Sequence, residues 1–172
     1  GVNEAHAMLD TFDAIGRADV SASQGYGSWN AQGIGEADSW HAYLAAAIEN
    51  ATTGFYANWH ALFRDSFLER DAYETIYQGM RRLLRYCPED RALIHNDAHF
   101  ENVLGEGERI TAVIDWGNAL YGDALHEIAQ LAWWSAWPGW WYDDVAGQLD
   151  ARYGAAPHYA ERIACYQLHL GL

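Results

Sequence analysis

The feature that most constrains this chain is a dense polar stretch set between two short apolar runs. Residues 92–104 read ALIHNDAHFENVL, so apolar pairs stand on both sides of the polar positions. The side chains between them that carry chemistry are His95, Asp97, His99, Glu101 and Asn102. Polar groups at this density between apolar flanks are typical of a turn, a metal site or a catalytic loop. The rest of the sequence must distinguish among these three kinds of structure.

The segments before this stretch have the residue spacing of helices. Residues 3–15 form one predicted helix, and residues 56–67 form a shorter one. Another helix is predicted from apolar residues at i, i+3, i+4, i+7 and i+8. These residues are Trp40, Tyr43, Leu44, Ala47 and Ile48. The segment 16–36 is rich in Gly and Ser and is predicted to be a loop.

A further helix is predicted to end shortly before the polar stretch. Asp71 and Glu74 have the spacing of a capping box, with Asp in place of Ser or Thr. Pro88 prevents the helix from continuing. The residues that mark its apolar face are Tyr73, Ile76, Tyr77, Met80 and Leu84.

The segment after the polar stretch changes from helical spacing to the composition of strands. Residues 109–115, RITAVID, are rich in β-branched side chains and predict a strand. Residues 105–108, GEGE, predict the turn before it. We therefore expect a hairpin over residues 102–114.

The last third of the chain is predicted to be helical again. Asp123 is expected to cap a helix that reaches about Trp137, and two more helices are expected after Pro138 and Pro157. The predicted fold class is therefore α+β and mostly helical, with one small β-hairpin in the middle of the chain. The polar stretch lies at the entrance of that hairpin.

Composition limits the partners and the compartment. The 172 residues are enough for one domain with a core, and the formal net charge is 10 − 24 = −14. That charge disfavours nucleic acid and suits a cationic small molecule.

Two cysteines, Cys87 and Cys165, are too few for a disulfide scaffold, and they are expected to be packing thiols in a reducing compartment. No run is long enough to cross a bilayer, so we expect a cytoplasmic protein with no membrane contact.

The hairpin brings together residues that are suited to magnesium and to proton transfer. It places Asn102 near Asp115, and the amide and carboxylate oxygens of these two side chains are the hard ligands that Mg²⁺ prefers. Asp97 then remains available to accept a proton from an attacking hydroxyl. Each of these residues is also a common turn former, so a purely structural role is the competing interpretation.

A second chemical interpretation starts from the same stretch. The pattern His-x-Asp-x-His is also that of a metal cluster, and a metal-dependent hydrolase built on four side chains is the rival enzyme class. Those side chains are His95, Asp97, His99 and Asp115. Tight zinc binding would favour this hydrolase, whereas weak magnesium binding would favour the first interpretation.

Two linked motifs resemble those of a known family. HNDAHFEN, residues 95–102, has the His-x-Asp-x-x-x-x-Asn spacing of the kinase catalytic loop. VIDWGNALYGDALHEIA, residues 113–129, resembles the segment that follows this loop in aminoglycoside phosphotransferases. The run from Ile110 to Ala129 is most similar to the hygromycin B phosphotransferase branch of that family.

The resemblance implies a role for each matching residue. It makes Asp97 the catalytic base, Asn102 and Asp115 the magnesium ligands, and His95 and Asp123 supports of the loop. The chain departs from the family pattern at Asn96, where Gly is usual. It also has Ala124 in place of Pro and Glu127 in place of Asp.

The resemblance also implies which part of the kinase-like fold is present. Residues 1–172 are expected to form one C-terminal lobe that is catalytic and binds the acceptor, and the N-terminal ATP-binding lobe is expected to be absent. All ten basic residues are Arg, so the strand Lys that kinases place on the ATP phosphates is not in this chain. GYGSWN, residues 25–30, offers only Gly-x-Gly and is interpreted as a loop or turn rather than a phosphate cradle.

The expected activity is ATP-dependent phosphotransfer to a hydroxyl of an aminoglycoside or related amino sugar. ATP is the co-substrate, Mg²⁺ the cofactor, and this chain alone is expected to be inactive. A kinase-like module kept only for binding is the non-enzymatic alternative, and a dimer through an exposed apolar face is a further expectation.

Two clusters in the last third of the chain keep open roles. The tryptophans between 133 and 141 suit core packing, a covered surface or contact with the substrate. The acidic pair Asp143 and Asp144 suits a solvated turn or a contact with a cationic acceptor.

Overall fold

The computed structural model describes residues 2–53, 56–97, 99–107, 109–136 and 145–172. The helices are α1 (Val2–Gly16), α2 (Trp40–Ala45), α3 (Leu62–Asp65), α4 (Arg70–Leu83), α5 (Leu125–Ser135), α6 (Val145–Tyr153) and α7 (Tyr159–Leu170). The strands are β1 (Tyr26–Trp29), β2 (Gly35–Ala37), β3 (Ala92–Ile94), β4 (Val103–Glu106), β5 (Arg109–Val113) and β6 (Leu120–Gly122). The predicted class, α+β with a majority of helix, is confirmed.

The strands form two separate antiparallel sheets. One is the predicted hairpin, in which β4 pairs with β5 and Val103 lies opposite Val113. The other has the order β2-β1-β6-β3 and joins strands that are far apart in the chain. In it Gly27 lies opposite Tyr121, and Ile94 lies opposite Leu120. The prediction of a single β patch is therefore wrong, and the hairpin is the smaller of the two sheets.

The segment 16–36 was predicted to be a loop, but it contains β1 and the start of β2. The structure gives a local reason for one of its glycines. Gly27 has a φ of 76°, and a Cβ built on it would lie 2.3 Å from the ring of Tyr43. Only glycine is compatible with both that φ and that contact.

The helices match their predictions in position more closely than in length. The helix predicted from Trp40 is α2, which continues as a 3₁₀ turn at Ala46–Ile48. In the predicted helix 56–67 the structure has only a 3₁₀ turn at Trp59–Ala61 followed by α3. The helix that was expected to reach Trp137 is α5, which ends at Ser135, and Trp137 lies outside the described residues.

The predicted capping box before α4 is wrong. The helix begins at Arg70, and Glu69 precedes it in an extended conformation without a side-chain capping bond. Asp71 therefore lies inside the first turn, where a carboxylate interacts favourably with the positive end of the helix dipole.

The core lies where α7 packs against α4 and α5. Cys87 and Cys165 are free and buried in it, as expected of packing thiols. Trp134 is 44% exposed, so it is a surface residue rather than a core residue. Trp137, Trp140 and Trp141, together with the pair at 143–144, lie outside the described residues. Among the residues that the structure describes, no helix is long and apolar enough to cross a membrane.

Candidate active site

The polar stretch forms a loop that leads from β3 of the larger sheet into the hairpin. A 3₁₀ turn at Phe100–Asn102 closes this loop, and the backbone N–H of Asn102 donates to the carbonyl of His99 at 2.9 Å. At the open end of the hairpin, the N–H of Ile114 donates to the carbonyl of Asn102 at 2.9 Å. Asn102 is therefore the cross-strand neighbour of the residue that directly precedes Asp115.

His95 is completely buried and organises the start of the loop. Its Nε2 lies 3.0 Å from the carbonyl oxygen of Ile114, and because a carbonyl only accepts, Nε2 carries the proton. The ring of Trp116 packs edge-on against the imidazole, with 4.6 Å between ring centroids. Burial lowers the pKa of His95, although the bond to Ile114 opposes the shift. The side chain is thus a neutral link between the loop and the hairpin.

Glu127 on α5 holds the backbone of the loop. Its Oε2 accepts from the N–H of His95 at 2.6 Å and from the N–H of Asn96 at 3.1 Å. Gln130, one turn later, donates to the carbonyl of Asn96 at 2.8 Å. Asn96 itself has a φ of 61°, in the left-handed region that favours glycine. The position where the family pattern has Gly is therefore one where the backbone requires a positive φ.

Asp97 lies at the centre of the loop with about a third of its side chain exposed (34%). Its Oδ2 accepts from the side-chain amide of Asn118 at 3.1 Å. Its Oδ1 lies 3.6 Å from Nε2 of His99. The carboxylate is therefore approached by a polar group on each oxygen, yet it still reaches solvent.

Asn102 and Asp115 present oxygens that are suited to a hard cation. The amide nitrogen of Asn102 donates to the carbonyl of Asp97 at 2.8 Å, which directs the amide oxygen away from that bond. Asp115 has a φ of 62° and precedes the 3₁₀ turn Trp116–Asn118 without capping it through its side chain. Its carboxylate is exposed and accepts no hydrogen bond from the described residues. An amide oxygen and a carboxylate are both ligand types that Mg²⁺ accepts.

The predicted four-residue metal cluster does not form. Among the described residues, no group of three or more His, Cys, Asp and Glu side chains lies close enough to hold a metal ion. His95 is directed to the Ile114 carbonyl, whereas Asp115 is exposed at the end of the hairpin. The geometry therefore gives no support to the hydrolase built on His95, Asp97, His99 and Asp115.

Asp123 lies away from the loop, in the core. It is 2% exposed, and Arg162 on α7 donates to both of its oxygens, from Nε at 2.9 Å and from Nη2 at 2.5 Å. The hydroxyl of Tyr166 and the backbone N–H of Leu125 also donate to it. Burial opposes the charge of Arg162, but its bonds to Asp123 raise the pKa of Arg162. Asp123 thus joins the start of α5 to α7, and the direct contacts to the loop come from Glu127.

No role was predicted for three residues that complete this arrangement. Glu127 and Arg162 are buried charges, which are rarely placed in a core without a partner. Asn118 carried no local signal, because its partner Asp97 is 21 residues away. A charged residue on an apolar helix face was the sequence signal that could have indicated Glu127 and Arg162.

A carboxylate in a loop, followed by a hairpin whose open end carries an amide and a second carboxylate, is the arrangement expected of a kinase-like phosphotransferase. The profile of the family described as APH, phosphotransferase enzyme family, matches residues 4–164. The chain belongs to this family.

Individual relatives agree with that assignment. The hygromycin-B 4-O-kinase of Escherichia coli is 30% identical over 172 residues, which cover 96% of this chain and 46% of the relative. The crystal structure of aminoglycoside phosphotransferase APH(4)-Ia has a TM-score of 0.74 at 28% identity, and the match covers 98% of this chain and 54% of that one. A thermostable mutant of APH(4)-Ia in ternary complex with AMP-PNP and hygromycin B has a TM-score of 0.75 at 28% identity. The chain spans about half the length of the relatives that it matches.

Proposed function

We propose that this chain is the catalytic part of an ATP-dependent phosphotransferase that acts on a hydroxyl of an aminoglycoside or a related amino sugar. The observation that carries the proposal is the arrangement around Asn102. Its side chain is bonded to the Asp97 backbone, and its own backbone pairs with the residue before Asp115. A base and two oxygen ligands for a cation are thereby held by one short loop and one hairpin.

In this proposal Asp97 is the general base. It is partly exposed, so an acceptor hydroxyl can reach it, and its two oxygens are already approached by Asn118 and His99. A carboxylate with a fixed direction orients the hydroxyl and takes its proton as the phosphoryl group is attacked. His95 and Glu127 act indirectly, because they hold the backbone on which Asp97 stands.

Asn102 and Asp115 are proposed to hold Mg²⁺. A bound Mg²⁺ supplies positive charge that neutralises the phosphate oxygens during transfer. The residues of this chain contribute the direction of the oxygens, through the Asn102–Asp97 bond and the pairing of Asn102 with Ile114. They also leave coordination positions open, as Mg²⁺ sites in phosphotransferases require.

The acceptor is proposed to be cationic. The formal net charge of −14 gives the protein a negative potential that attracts amino sugars carrying several positive charges. The relatives support this class of acceptor, since one is a hygromycin-B kinase and another was crystallised with hygromycin B.

We further propose that the ATP phosphates are held mainly by polypeptide outside residues 1–172, which would form one lobe. The chain has no Lys, and Gly27 is explained by its packing on Tyr43 rather than by a phosphate. Leu104 and Ile114 beside the site are 52% and 42% exposed, which suits a surface that a second lobe covers. On this proposal the 172 residues alone do not catalyse phosphotransfer. The dimer and the cytoplasmic location stay predictions.

Substitution of the base tests the proposal. In the complete enzyme, Asp97→Ala is expected to lower kcat for phosphotransfer to hygromycin B by about 10²–10⁴-fold, the usual contribution of a positioned general base. Asp65→Ala, at an exposed carboxylate on α3, is the matched control and is expected to leave the rate unchanged. If both variants behaved alike, Asp97 would not be the base.

Metal analysis separates this proposal from the hydrolase. The purified protein is expected to bind Mg²⁺ weakly and to carry no stoichiometric zinc, because the described residues form no cluster of three zinc-type ligands. A non-catalytic binding module would instead bind the acceptor while showing no phosphotransfer in the complete protein.

A further inference from the structure

Asn118 connects the two halves of the candidate active site. Its side-chain amide donates to Oδ2 of Asp97 at 3.1 Å, although the two residues belong to different loops. Asn118 is the last residue of the 3₁₀ turn that begins directly after Asp115. One side chain therefore reaches from the segment of a proposed metal ligand to the proposed base.

We propose that Asn118 is a positioning residue that couples cation binding at Asp115 to the orientation of Asp97. The inference rests on the proposed function, since it takes Asp97 as the base and Asp115 as a cation ligand. The chemistry of the contact is unambiguous, because a carboxylate oxygen only accepts and so the amide nitrogen of Asn118 must face it.

The turn between Asp115 and Asn118 is short and held at both ends. On one side Trp116 packs against the buried ring of His95. On the other side the N–H of Ala119 donates to the Trp116 carbonyl at 3.1 Å, and Ala119 is buried. A single closed turn has few ways to absorb a displacement internally. A change in the direction of Asp115 is therefore transmitted to Asn118 rather than lost in a flexible loop.

The surroundings of the opposite oxygen of Asp97 are the reason to expect a large effect from this one contact. His99 lies 3.6 Å from Oδ1, beyond a direct hydrogen bond, so the short contact from Asn118 is the closer of the two. Loss of the Asn118 amide leaves the carboxylate free to rotate about its side-chain torsions. Misplacement of a catalytic group by about 1 Å can cost on the order of 10²-fold in rate.

A packing role for Asn118 makes a different prediction from a positioning role. The side chain is exposed, so its truncation opens no cavity and should hardly change stability. Asn118→Asp keeps the shape of the side chain but replaces the donor with a second carboxylate. It should therefore impair the reaction at least as much as Asn118→Ala, whereas a packing role would leave it close to wild type.

The experiment compares these variants in the complete enzyme, with Gln78→Ala as a matched loss of an exposed carboxamide on α4. We expect Asn118→Ala and Asn118→Asp to lower kcat by about 10- to 100-fold, the usual effect of removing an outer partner of a catalytic or metal-binding group. KM for hygromycin B should change little, and Gln78→Ala should match wild type. The affinity for Mn²⁺ in the presence of ADP, measured by electron paramagnetic resonance, should fall several-fold in both Asn118 variants.

A double-mutant cycle tests the coupling itself. If the contact between Asn118 and Asp97 transmits the effect, Asn118→Ala should cause no further loss of Mn²⁺ affinity when Asp97 is already Ala. An equal loss in both backgrounds would overturn the inference. So would kcat and Mn²⁺ affinity in the Asn118 variants that match those of Gln78→Ala. A rate that survives Asp97→Ala would instead reject the proposed function, so the two failures are distinguishable.

Discussion

Arg162 holds Asp123 through both carboxylate oxygens and so joins α7 to the start of α5. Nε lies 2.9 Å from Oδ2 and Nη2 lies 2.5 Å from Oδ1, and the two residues are 8% and 2% exposed. Removal of one partner from a buried ion pair leaves an uncompensated charge in the core. The position of α5, whose Glu127 holds the loop, therefore depends on a contact outside the candidate site.

Arg162→Ala is expected to destabilise the protein by about 3–5 kcal/mol, the usual cost of breaking a buried pair. Arg162→Lys should recover only part of this, because an ammonium cannot make the two-point contact. Urea unfolding measures both changes. Arg64→Ala breaks the exposed pair of Arg64 with Asp65 and should hardly change stability. Equal costs for Arg162→Ala and Arg64→Ala would show that the buried pair does not hold the helices together.

Glu127→Ala should release the active-site loop. The substitution leaves the N–H groups of His95 and Asn96 without their acceptor, and each unsatisfied buried group costs about 1–3 kcal/mol. Glu127→Gln keeps an oxygen acceptor and should be milder. Hydrogen exchange at these two amides is the direct measurement, and it should accelerate in Glu127→Ala. Unchanged protection there would mean that other groups hold the loop.

Asn96→Gly should be neutral or stabilising. Asn96 has a φ of 61°, and its side-chain oxygen is buried without a hydrogen-bond partner among the described residues. Glycine adopts this φ without strain and removes the unsatisfied oxygen. Asn96→Ala should be less stable than Asn96→Gly by about 1–2 kcal/mol, because the Cβ of alanine is disfavoured in the left-handed region. Thermal unfolding of both variants checks the order, and greater stability of Asn96→Ala than Asn96→Gly would contradict it.

Acid should destabilise the protein through two buried histidines. Burial lowers the pKa of His126 to about 3, with a contribution from the neighbouring His169, and burial lowers the pKa of His169 to about 4. The unfolded chain binds these protons near the ordinary value of 6.5, so it holds more protons than the folded protein below that pH. The contribution of these two neutral histidines to the free energy of unfolding is therefore fully present above about pH 6.5, and it is lost as the pH falls toward 4 and 3.

The measurement is the free energy of unfolding against pH. Each histidine should contribute a slope of up to about 1.4 kcal/mol per pH unit inside that window. His126→Phe should remove one such slope, whatever its effect at neutral pH. Gln78→Ala, at an exposed carboxamide on α4, should leave the slope as it is. Parallel curves for His126→Phe and wild type would show that His126 does not stay neutral in the fold.

The sequence by itself determined the elements that depend on neighbours along the chain. The hairpin was predictable because β-branched residues and a Gly-rich turn are consecutive in 103–113. The nearness of Asn102 to the residue before Asp115 followed from spacing, because a hairpin brings its own two ends together. α1, α4 and α7 were predictable because an apolar face recurs at helical intervals within each of them.

The second sheet was decided only by the tertiary structure. Its strands have three or four residues each, which is too short for a clear alternation of apolar and polar positions. Their pairing joins Gly27 to Tyr121, and no local pattern encodes a contact across that length of chain. The segment 16–36 was therefore predicted to be a loop on the strength of its Gly and Ser content, whereas its partners in space make it a strand.

The candidate active site shows the same difference between local patterns and long-range contacts. The residues that we propose to carry the chemistry lie in two local patterns, HNDAHFEN and the segment from β5 to Asp115. The residues that hold them in place lie outside these patterns, because Asn118, Glu127 and Arg162 reach their partners across 21, 31 to 32, and 39 positions. Periodicity and turn chemistry act over a few residues, whereas hydrogen bonds and ion pairs form wherever packing brings two groups within about 3 Å. Only the folded arrangement, which brings the turn Trp116–Asn118 and α5 to the loop and α7 to Asp123, could decide those contacts.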